Sequence, residues 1–265
     1  MTTYLGTLMI SRFLLLLAIV SFSYGDKLTD IKATDMIHIG VKYDFKPFGF
    51  FDKRGRLVGF DIDLARFIAS KLGVTPSFKQ VTSSSRIPRL LSEDIDIIVA
   101  SMTHKISRDK EIDFSISYFF DGQSILVRQD EVGTTAKEFA NRKVGAIKGS
   151  TAGPNFKKLV PESRMVYFSE YPQALRALKR GNIEAITTDF TWCNVQANDS
   201  NETLKVVGGL LSYEPYGIGV PQNESKLRDA INFALIELVK EGVYAELYEK
   251  WFGKKPKRFP TIWPK

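Results

Sequence analysis

The stretch "GFDIDLARFIASKLGVTPSFKQV", Gly59 to Val81, joins a helix signal directly to a strand signal. Its apolar residues recur at the spacing of one helical face: Leu64, Phe67, Ile68 and Leu72. Two aspartates near the start suit the positive end of a helix dipole, Gly73 is a stop signal, and "PSFKQV" after it is typical of a strand. A helix that leads at once into a strand indicates an α/β fold.

The segments around this stretch complete a regular alternation. Before it, "MIHIGVKYDF" (36–45) alternates apolar residues as a strand does. After it, "SRIPRLL" (85–91) predicts a short helix and "DIDIIVA" (94–100) predicts a buried strand. The resulting order, β-α-β-α-β, predicts a parallel sheet with helices on its faces.

A second set of signals repeats this order after Arg128. "KVGAI" (143–147) and "IEAITT" (183–188) are typical of strands, while "STAGPNFKKL" (150–159) and "YPQALRALKRG" (171–181) are typical of helices. Each half also contains an acidic, apolar strand that ends in polar residues. We therefore predict two similar α/β lobes.

Composition indicates an exported, soluble protein. With 265 residues, 44% of them hydrophobic, the chain can bury a large core. Arg12, the apolar run 13–22 and the small residues after it predict a cleaved signal peptide over residues 1–25, and the run is too short to span a bilayer comfortably. The single cysteine, Cys193, lies far from the cleavage point, so we expect no lipid anchor and no disulfide, and we expect Cys193 to be buried in a helix.

The net charge of +7 is concentrated at the end of the chain. The tail after Gly253, "KKPKRFPTIWPK", has five basic residues and no acidic one. Its prolines oppose a regular basic helix, so we interpret it as a solvated extension and expect no nucleic acid partner.

The strand ends offer charges and hydrogen-bond donors rather than a catalytic centre. Ligands of open parallel sheets bind beyond the carboxyl ends of the strands, where this chain places residues 42–48, 101–108, 149–153 and Asp189. The two histidines, His38 and His104, lack metal-ligand spacing, and neither a nucleophile motif nor a phosphate loop occurs. We therefore expect no metal and no cofactor.

The polar groups at these strand ends suit a small zwitterion. Arg108 can hold a carboxylate with two parallel hydrogen bonds, and Ser101 and Thr103 can add others. The N–H groups of the helix that opens at "STAG" favour an anion as well. Asp189 can pair with an ammonium group.

Four stretches of this sequence resemble the periplasmic solute-binding proteins of polar amino acid ABC importers. They are "KYDFKPFGFFDKRGRLVGFDIDLARFIASKLGV" (42–74), "SSSRIPRLLSEDIDIIVASMTHKISRDKEIDFS" (83–115), "GAIKGST" (145–151) and "SYEPYGIGV" (212–220). Because they occur in order over nearly all of the mature chain, the set is more specific than any single motif. The resemblance implies the type II periplasmic-binding-protein fold, in which each lobe is a mostly parallel sheet flanked by helices and the ligand cleft lies between the lobes.

The resemblance also implies how the chain is divided between the lobes. Lobe 1 would comprise residues 26–126 and a return segment, 213–265, that carries the basic tail. Lobe 2 would comprise residues 127–212. The lobes would rotate about two crossovers, near Leu126 to Arg128 and near Gly209 to Tyr213.

By position, the resemblance assigns the α-carboxylate of an amino acid to five residues: Ser101, Thr103, Arg108, Ser150 and Thr151. It assigns the α-ammonium to Asp189 and places Phe45 and Tyr216 along the cleft. Structural alternatives remain open for five positions in and near this set. They are an ion pair of Arg108 with Asp109 or Glu111, a helix cap at Asp189, a pair between Lys42 and Asp44, a structural pairing of Arg86, and hinge packing of Tyr216.

Two departures from many relatives favour an acidic ligand. Lys42 stands where many relatives have an aspartate, and Arg86 ends a segment where many have an aromatic residue, while "VKYD" and "SRIP" look like aspartate- and glutamate-binding members. Lys42, Arg86 and Arg108 outnumber Asp189, and an unpaired charge in a closed cleft costs ~3 kcal/mol or more. We therefore predict glutamate or aspartate as the ligand, with glutamine or another polar amino acid as the alternative.

The resemblance implies a monomeric periplasmic receptor that delivers its ligand to an ABC transporter permease. One alternative is an exported enzyme on the same scaffold, such as a cyclohexadienyl or arogenate dehydratase, and another is a sensor or adhesin. A dehydratase needs a general acid, and the sequence offers no obvious spare carboxyl or histidine for that role. We therefore expect no enzymatic activity.

Overall fold

A computed structural model describes residues 26–256. The strands are β1 (Met36–Val41), β2 (Asp44–Phe45), β3 (Gly49–Phe51), β4 (Leu57–Val58), β5 (Thr75–Gln80), β6 (Ile97–Ile98), β7 (Asp113–Phe114), β8 (Phe119–Asp121), β9 (Gln123–Arg128), β10 (Lys143–Ile147), β11 (Arg164–Phe168), β12 (Ala185–Asp189), β13 (Leu204–Val207), β14 (Glu214–Tyr216) and β15 (Gly219–Val220). The helices are α1 (Lys27–Ala33), α2 (Phe60–Leu72), α3 (Arg86–Leu91), α4 (Ala152–Leu159), α5 (Tyr171–Lys179), α6 (Phe190–Asn198), α7 (Ser225–Lys240) and α8 (Val243–Phe252), and a 3₁₀ turn covers Ala136–Phe139.

The first sheet has the strand order β5-β1-β6-β15-β7. Strand β1 is parallel to both β5 and β6, so that Ile39 lies beside Phe78 on one side and Ile97 on the other. Strand β15 is antiparallel to both of its neighbours. Helices α7 and α8 pack on α2, so the C-terminal segment returns to this lobe, as the resemblance implies.

The second sheet repeats the same plan, with the order β11-β10-β12-β9-β13. Strand β10 is parallel to β11 and β12, whereas β9 is antiparallel to both β12 and β13. Helices α4 and α5 contact β10 and β12. The predicted fold class, two α/β lobes, is confirmed, but each sheet has two parallel and two antiparallel pairings and is mixed rather than mostly parallel.

Two short strands, β8 and β14, connect the lobes and pair with each other, and we call them the hinge strands. Their antiparallel register places Glu214 opposite Asp121 and Tyr216 opposite Phe119. The crossover predicted near Leu126 to Arg128 falls instead inside β9, where these residues belong to the second sheet. The chain thus passes between lobes earlier than the boundary at residue 126 supposes.

The local signals in the sequence explain most of the elements. Gly73 ends α2 with φ of 73°, and Gly242 separates α7 from α8 with φ of 79°, both left-handed conformations that glycine adopts without strain. Cys193 is buried in α6, as predicted. Helix α1 was not predicted; it starts at Asp26, whose side chain accepts a hydrogen bond from the Thr29 N–H. The predicted signal peptide and most of the basic tail lie outside the described residues.

Candidate functional site

The carboxyl ends of β1, β6, β10 and β12 face one cleft, across which the two lobes touch. A Cβ added at Gly149 would lie 2.6 Å from the Ser83 carbonyl oxygen in the other lobe. The Tyr171 N–H donates to Asp44 across the same boundary at 3.1 Å, and the Phe45 and Tyr171 rings lie 4.6 Å apart. The cleft is therefore closed.

Arg108 joins the two lobes through its planar guanidinium. Nη1 donates to the Thr103 carbonyl at 2.7 Å, and Nη2 donates to the Gly149 carbonyl at 3.1 Å. The alternative ion pair with Asp109 or Glu111 is wrong, because Asp109 contacts His104 and Arg108 forms none of the ion pairs found within residues 26–256. The arginine is 9% exposed, and its guanidinium has more donors than these two carbonyls use.

Ser101 is held by a buried carboxylate that the sequence interpretation had assigned only to a helix start. The backbone N–H and the Oγ of Ser101 both donate to Asp61 Oδ2 at 2.8 Å, and the Tyr118 hydroxyl donates to Oδ1 at 3.0 Å. Burial raises the pKa of Asp61 to about 6, although these hydrogen bonds oppose the shift. Because its proton points to Asp61, the Ser101 hydroxyl offers lone pairs to the cleft, which suit an ammonium better than a carboxylate.

Ser150 and Thr151 lie at the start of α4, but their hydroxyl protons are also engaged. Ser150 Oγ donates to the Ile147 carbonyl at 2.8 Å, and Thr151 Oγ1 donates to Glu214 Oε2 at 3.1 Å. Glu214, on a hinge strand, also accepts from Asn155 at 3.1 Å. What α4 can offer to a carboxylate is its backbone N–H groups and dipole.

Asp189 lies at the end of β12 beside Tyr216, which is fully buried. Asp189 occupies the N-cap position of α6, but its side chain makes no capping hydrogen bond, so that alternative is wrong. It accepts instead from the Tyr216 hydroxyl at 2.5 Å and from Thr188 Oγ1 at 3.0 Å. Tyr216 also approaches Asp121, whose pKa is raised to about 7 by burial and by the charge of Asp189.

Lys42 and Arg86 bring two buried cations to the other side of the cleft. Lys42 Nζ lies 4.1 Å from the Phe45 ring centroid and 4.9 Å from that of Tyr171, and no ion pair with Asp44 forms. Burial and the charge of Arg86 lower the pKa of Lys42 to about 8. Burial and the charge of Arg108 lower that of Arg86 to about 9.

Arg86 has donors to spare. Its Nη1 donates to the Ala100 carbonyl at 2.8 Å, while its Nε is buried without a hydrogen-bond partner among the described residues. A buried donor left unpaired costs about 1–3 kcal/mol, so a ligand oxygen that accepts from it gains that amount.

The structure brings all ten predicted residues to this cleft and adds others that the sequence interpretation missed. The additions are the carboxylates Asp61, Asp121 and Glu214 and the rings Tyr171 and Trp192, whose centroids lie 4.8 Å apart. No strand-end rule singles these residues out, because Asp61 starts a helix and the hinge strands are too short to carry a pattern. Within residues 26–256, neither a metal-binding group of histidine, cysteine and carboxylate side chains nor a helix able to cross a membrane occurs.

Comparisons with known proteins agree with this architecture. The ABC transporter glutamine-binding protein GlnH of Bacillus subtilis is 41% identical over 242 residues, which cover 88% of this chain and 87% of that protein. The glutamine-binding protein of Geobacillus stearothermophilus is 39% identical over a stretch that covers 72% of this chain and 75% of that protein. An ancestral arginine-binding protein bound to glutamine superposes with a TM-score of 0.80 at 40% identity, covering 83% of this chain and 99% of that one. The model of the bacterial extracellular solute-binding proteins, family 3, matches residues 37–254, and the chain belongs to this family.

Proposed function

We propose that this protein is an extracytoplasmic receptor that binds glutamine between its lobes and delivers it to the permease of an ABC importer. The observation that carries the proposal is the balance of charge around the cleft. Three cations, Lys42, Arg86 and Arg108, are buried there. A ligand without net charge leaves this balance undisturbed.

At least as many anions as cations surround the cleft. Asp189, Asp44 and Asp61 act on Lys42, whose protonated form they favour, and Glu214 acts in the same way on Arg108. The count that favoured glutamate or aspartate included Asp189 alone, so it overestimated the positive charge. With the buried carboxylates included, a second ligand carboxylate would bring an unpaired negative charge into the closed cleft, which is costly.

The relatives support the same ligand. Two of them carry glutamine in their names, and the ancestral protein was crystallised with glutamine as well as with arginine. A glutamine side chain has a carbonyl oxygen that can accept from Lys42 or from the unpaired Nε of Arg86. Its length would place the amide beside the aromatic wall of Phe45, Tyr171 and Trp192.

The α-carboxylate of the ligand would lie at Arg108, Thr103 and the start of α4. The α-ammonium would lie between Asp189 and the lone pairs of Ser101. Because these groups come from both lobes, each lobe alone holds only part of the ligand, and binding favours the closed arrangement. Ser150 and Thr151 would bind the α-carboxylate through their backbone N–H groups rather than through their hydroxyls.

The permease, the periplasmic location and the monomeric state belong to this proposal. The match to a family of extracellular solute-binding proteins and the signal-peptide prediction for residues 1–25 support the location, and the resemblance to ABC-importer receptors supports the permease and the monomeric state.

A dehydratase is the second candidate, since an ancestral amino acid-binding precursor of cyclohexadienyl dehydratase superposes with a TM-score of 0.79 at 32% identity. The argument that the chain has no spare carboxyl does not hold, because Asp61 and Asp121 both have raised pKa values. Both carboxyls, however, are committed to protein partners: Asp61 to Ser101 and Tyr118, and Asp121 to backbone N–H groups. A receptor that returns its ligand unchanged fits these commitments better.

Titration calorimetry of the mature chain against the twenty amino acids tests the proposal. We expect glutamine to bind with a Kd of about 1 µM or tighter, and glutamate and aspartate to bind at least about 100-fold more weakly. Tighter binding of an acidic amino acid would overturn the ligand assignment. Mass spectrometry after incubation with prephenate or arogenate tests the enzyme, since only a dehydratase releases water and changes the mass.

A further inference from the structure

Tyr216 joins two carboxylates at the point where the hinge strands meet the cleft. Its hydroxyl oxygen lies 2.5 Å from Asp189 Oδ1 and 3.3 Å from Asp121 Oδ2. Asp121 and Tyr216 belong to the paired hinge strands, whereas Asp189 ends β12 in the second lobe. The three side chains form a short path from the hinge to the place proposed for the ligand's ammonium.

The number of protons on this path follows from its geometry. A phenol carries one proton and can donate it to only one of two carboxylates. If Tyr216 donates to Asp189, its oxygen turns lone pairs toward Asp121, and this second contact becomes a hydrogen bond only when Asp121 supplies a proton. If Tyr216 donates to Asp121, the same argument places the proton on Asp189. Both contacts are satisfied when the two carboxylates hold one proton between them.

The surroundings of Asp121 agree with a shared proton. Its side chain accepts from the Gly122 N–H at 2.8 Å and the Thr191 N–H at 3.2 Å, and these bonds favour an anion. Burial and the neighbouring charge of Asp189 outweigh them and raise the pKa of Asp121 to about 7. Burial and the negative charge of Asp189 therefore favour a proton on Asp121 when no ligand cation is present.

We propose that Asp121 and Asp189 share one proton through Tyr216 in the ligand-free receptor, and that the α-ammonium of the amino acid expels this proton to solvent. The ammonium brings a positive charge to Asp189, which stabilises the fully ionised pair. By thermodynamic reciprocity, loss of the proton strengthens amino acid binding to the same extent. Asp121 is thus a positioning residue on the hinge that makes ligand affinity depend on pH.

Other ionisable groups face this pair from the elements packed around it: Lys42, Arg86, Arg108, Tyr171, Cys193 and Tyr248. The three cations favour ionisation of the pair and keep their charges below about pH 8. Burial raises the pKa values of Tyr171, Cys193 and Tyr248, so these groups stay neutral near pH 7. Glu214 lies opposite Asp121 on the other hinge strand. In the acid-to-neutral range the carboxylate pair changes charge, and so does Asp61 beside Ser101, whose pKa is raised by burial to about 6; the comparison with D121N separates the two.

The test has two arms, because the linkage rests on the proposed binding of glutamine whereas the shared proton does not. In the ligand-free protein, ¹³C NMR of the aspartate carboxyl carbons should show a resonance that titrates near neutral pH and is absent in D121N. Asp61 titrates with a pKa of about 6, and its resonance should persist in that variant. In the second arm, the Kd for glutamine should fall about tenfold between about pH 5.5 and about pH 7.5, with proton release seen as buffer-dependent binding heats.

D121N imitates the protonated state, since its amide can donate to Tyr216 while its carbonyl accepts from Gly122. Because Asp61 still titrates in this variant, its Kd for glutamine should change over this range, but by much less than the Kd of the wild type, and it should release fewer protons on binding. D130N removes a carboxylate that is 82% exposed and should behave like the wild type.

Each result decides one part of the inference. The absence of any carboxyl that titrates near neutral pH and disappears with Asp121 overturns the shared proton. A constant Kd in the wild type, or an unchanged slope in D121N, overturns the linkage. If no amino acid binds, the proposed function fails and the NMR arm alone decides on the proton. If D121N does not fold, two measurements on the wild type decide on the linkage: the dependence of the binding heat on the buffer and the dependence of Kd on pH. The linkage fails if neither is seen.

Discussion

Replacing Gly149 with alanine should keep the lobes from closing fully. An added Cβ would lie 2.6 Å from the Ser83 carbonyl oxygen and 2.6 Å from Ser84 Cα, and both are backbone atoms of the other lobe. Ordinary van der Waals contact begins at 3.4 Å, so the lobes must separate here by about 1 Å. The clash exists only in the closed form and therefore acts on binding.

The size of the effect follows from the cost of overpacking. One extra methyl in a tightly packed contact costs about 1–3 kcal/mol, which corresponds to a rise in Kd of about 5- to 150-fold. Gly149 also has φ of 77°, and alanine is strained there in the open form too. Gly181 is the matched control, because its φ is 74° and an added Cβ meets nothing within 4 Å.

Calorimetry with glutamine and small-angle scattering on both variants would measure this difference. G149A should bind more weakly than G181A, and its radius of gyration should shrink less at saturating ligand. The two variants should lose similar amounts of free energy of unfolding without ligand, since the backbone strain is common to both. Equal affinities would refute the reasoning, because the lobes would then not meet at residue 149 in the bound form.

Two further variants test single features of the cleft. R108K keeps the charge but loses the two guanidinium nitrogens that bond to carbonyls of both lobes, so the Kd measured by calorimetry should rise about 10- to 100-fold. R128K is the control, because Arg128 Nη1 donates to two carbonyls within the second lobe, and its Kd should stay within about twofold of wild type. Equal losses in the two variants would contradict a bridging role. K42M removes a lysine whose folded pKa is lowered to about 8, so between about pH 8 and about pH 10 the unfolded wild type binds more protons than the native state. In urea unfolding without ligand, the free energy of unfolding of the wild type should rise by about 2 kcal/mol relative to that of K42M over this pH range. A difference between the two proteins that does not change with pH would exclude the lowered pKa of Lys42.

The order of helices and strands could be predicted from the sequence, but the position of the hinge could not. The helical spacing of apolar residues in α2 and the glycine that ends this helix are local signals, and the structure has the helix that they predict. Only Gly122 separates β8 from β9. A Cβ at Gly122 would lie 2.6 Å from the Ser212 carbonyl oxygen, so the reason for the break lies in a chain segment far away in sequence. Periodicity cannot detect such a contact.

The strand-end rule found the location of the site but not the direction of its hydrogen bonds. Ser101 and Thr151 were expected to donate to a carboxylate, and each donates instead to a buried acid: Asp61 is 40 residues from Ser101, and Glu214 is 63 residues from Thr151. A hydroxyl has one proton, so a distant acceptor decides what it offers to a ligand. Residue type at a strand end therefore predicts that a side chain forms a polar contact, but it does not predict whether the side chain donates or accepts the hydrogen bond.

The same distant acids explain why charge counting along the strand ends favoured an acidic ligand rather than the glutamine that we propose. In a closed cleft, a carboxylate one layer behind the surface acts on a buried cation nearly as strongly as one in front of it, because little water remains to screen the charge. Asp61 acts on Lys42 and Glu214 acts on Arg108 from such positions. The net charge that a ligand meets is thus set by the starting turn of α2 and by a hinge strand, as much as by the residues that touch the ligand. Because Asp121 adds a titratable charge to the same hinge, the proposed preference for a neutral amino acid and the proposed dependence of its affinity on pH would have a common electrostatic origin.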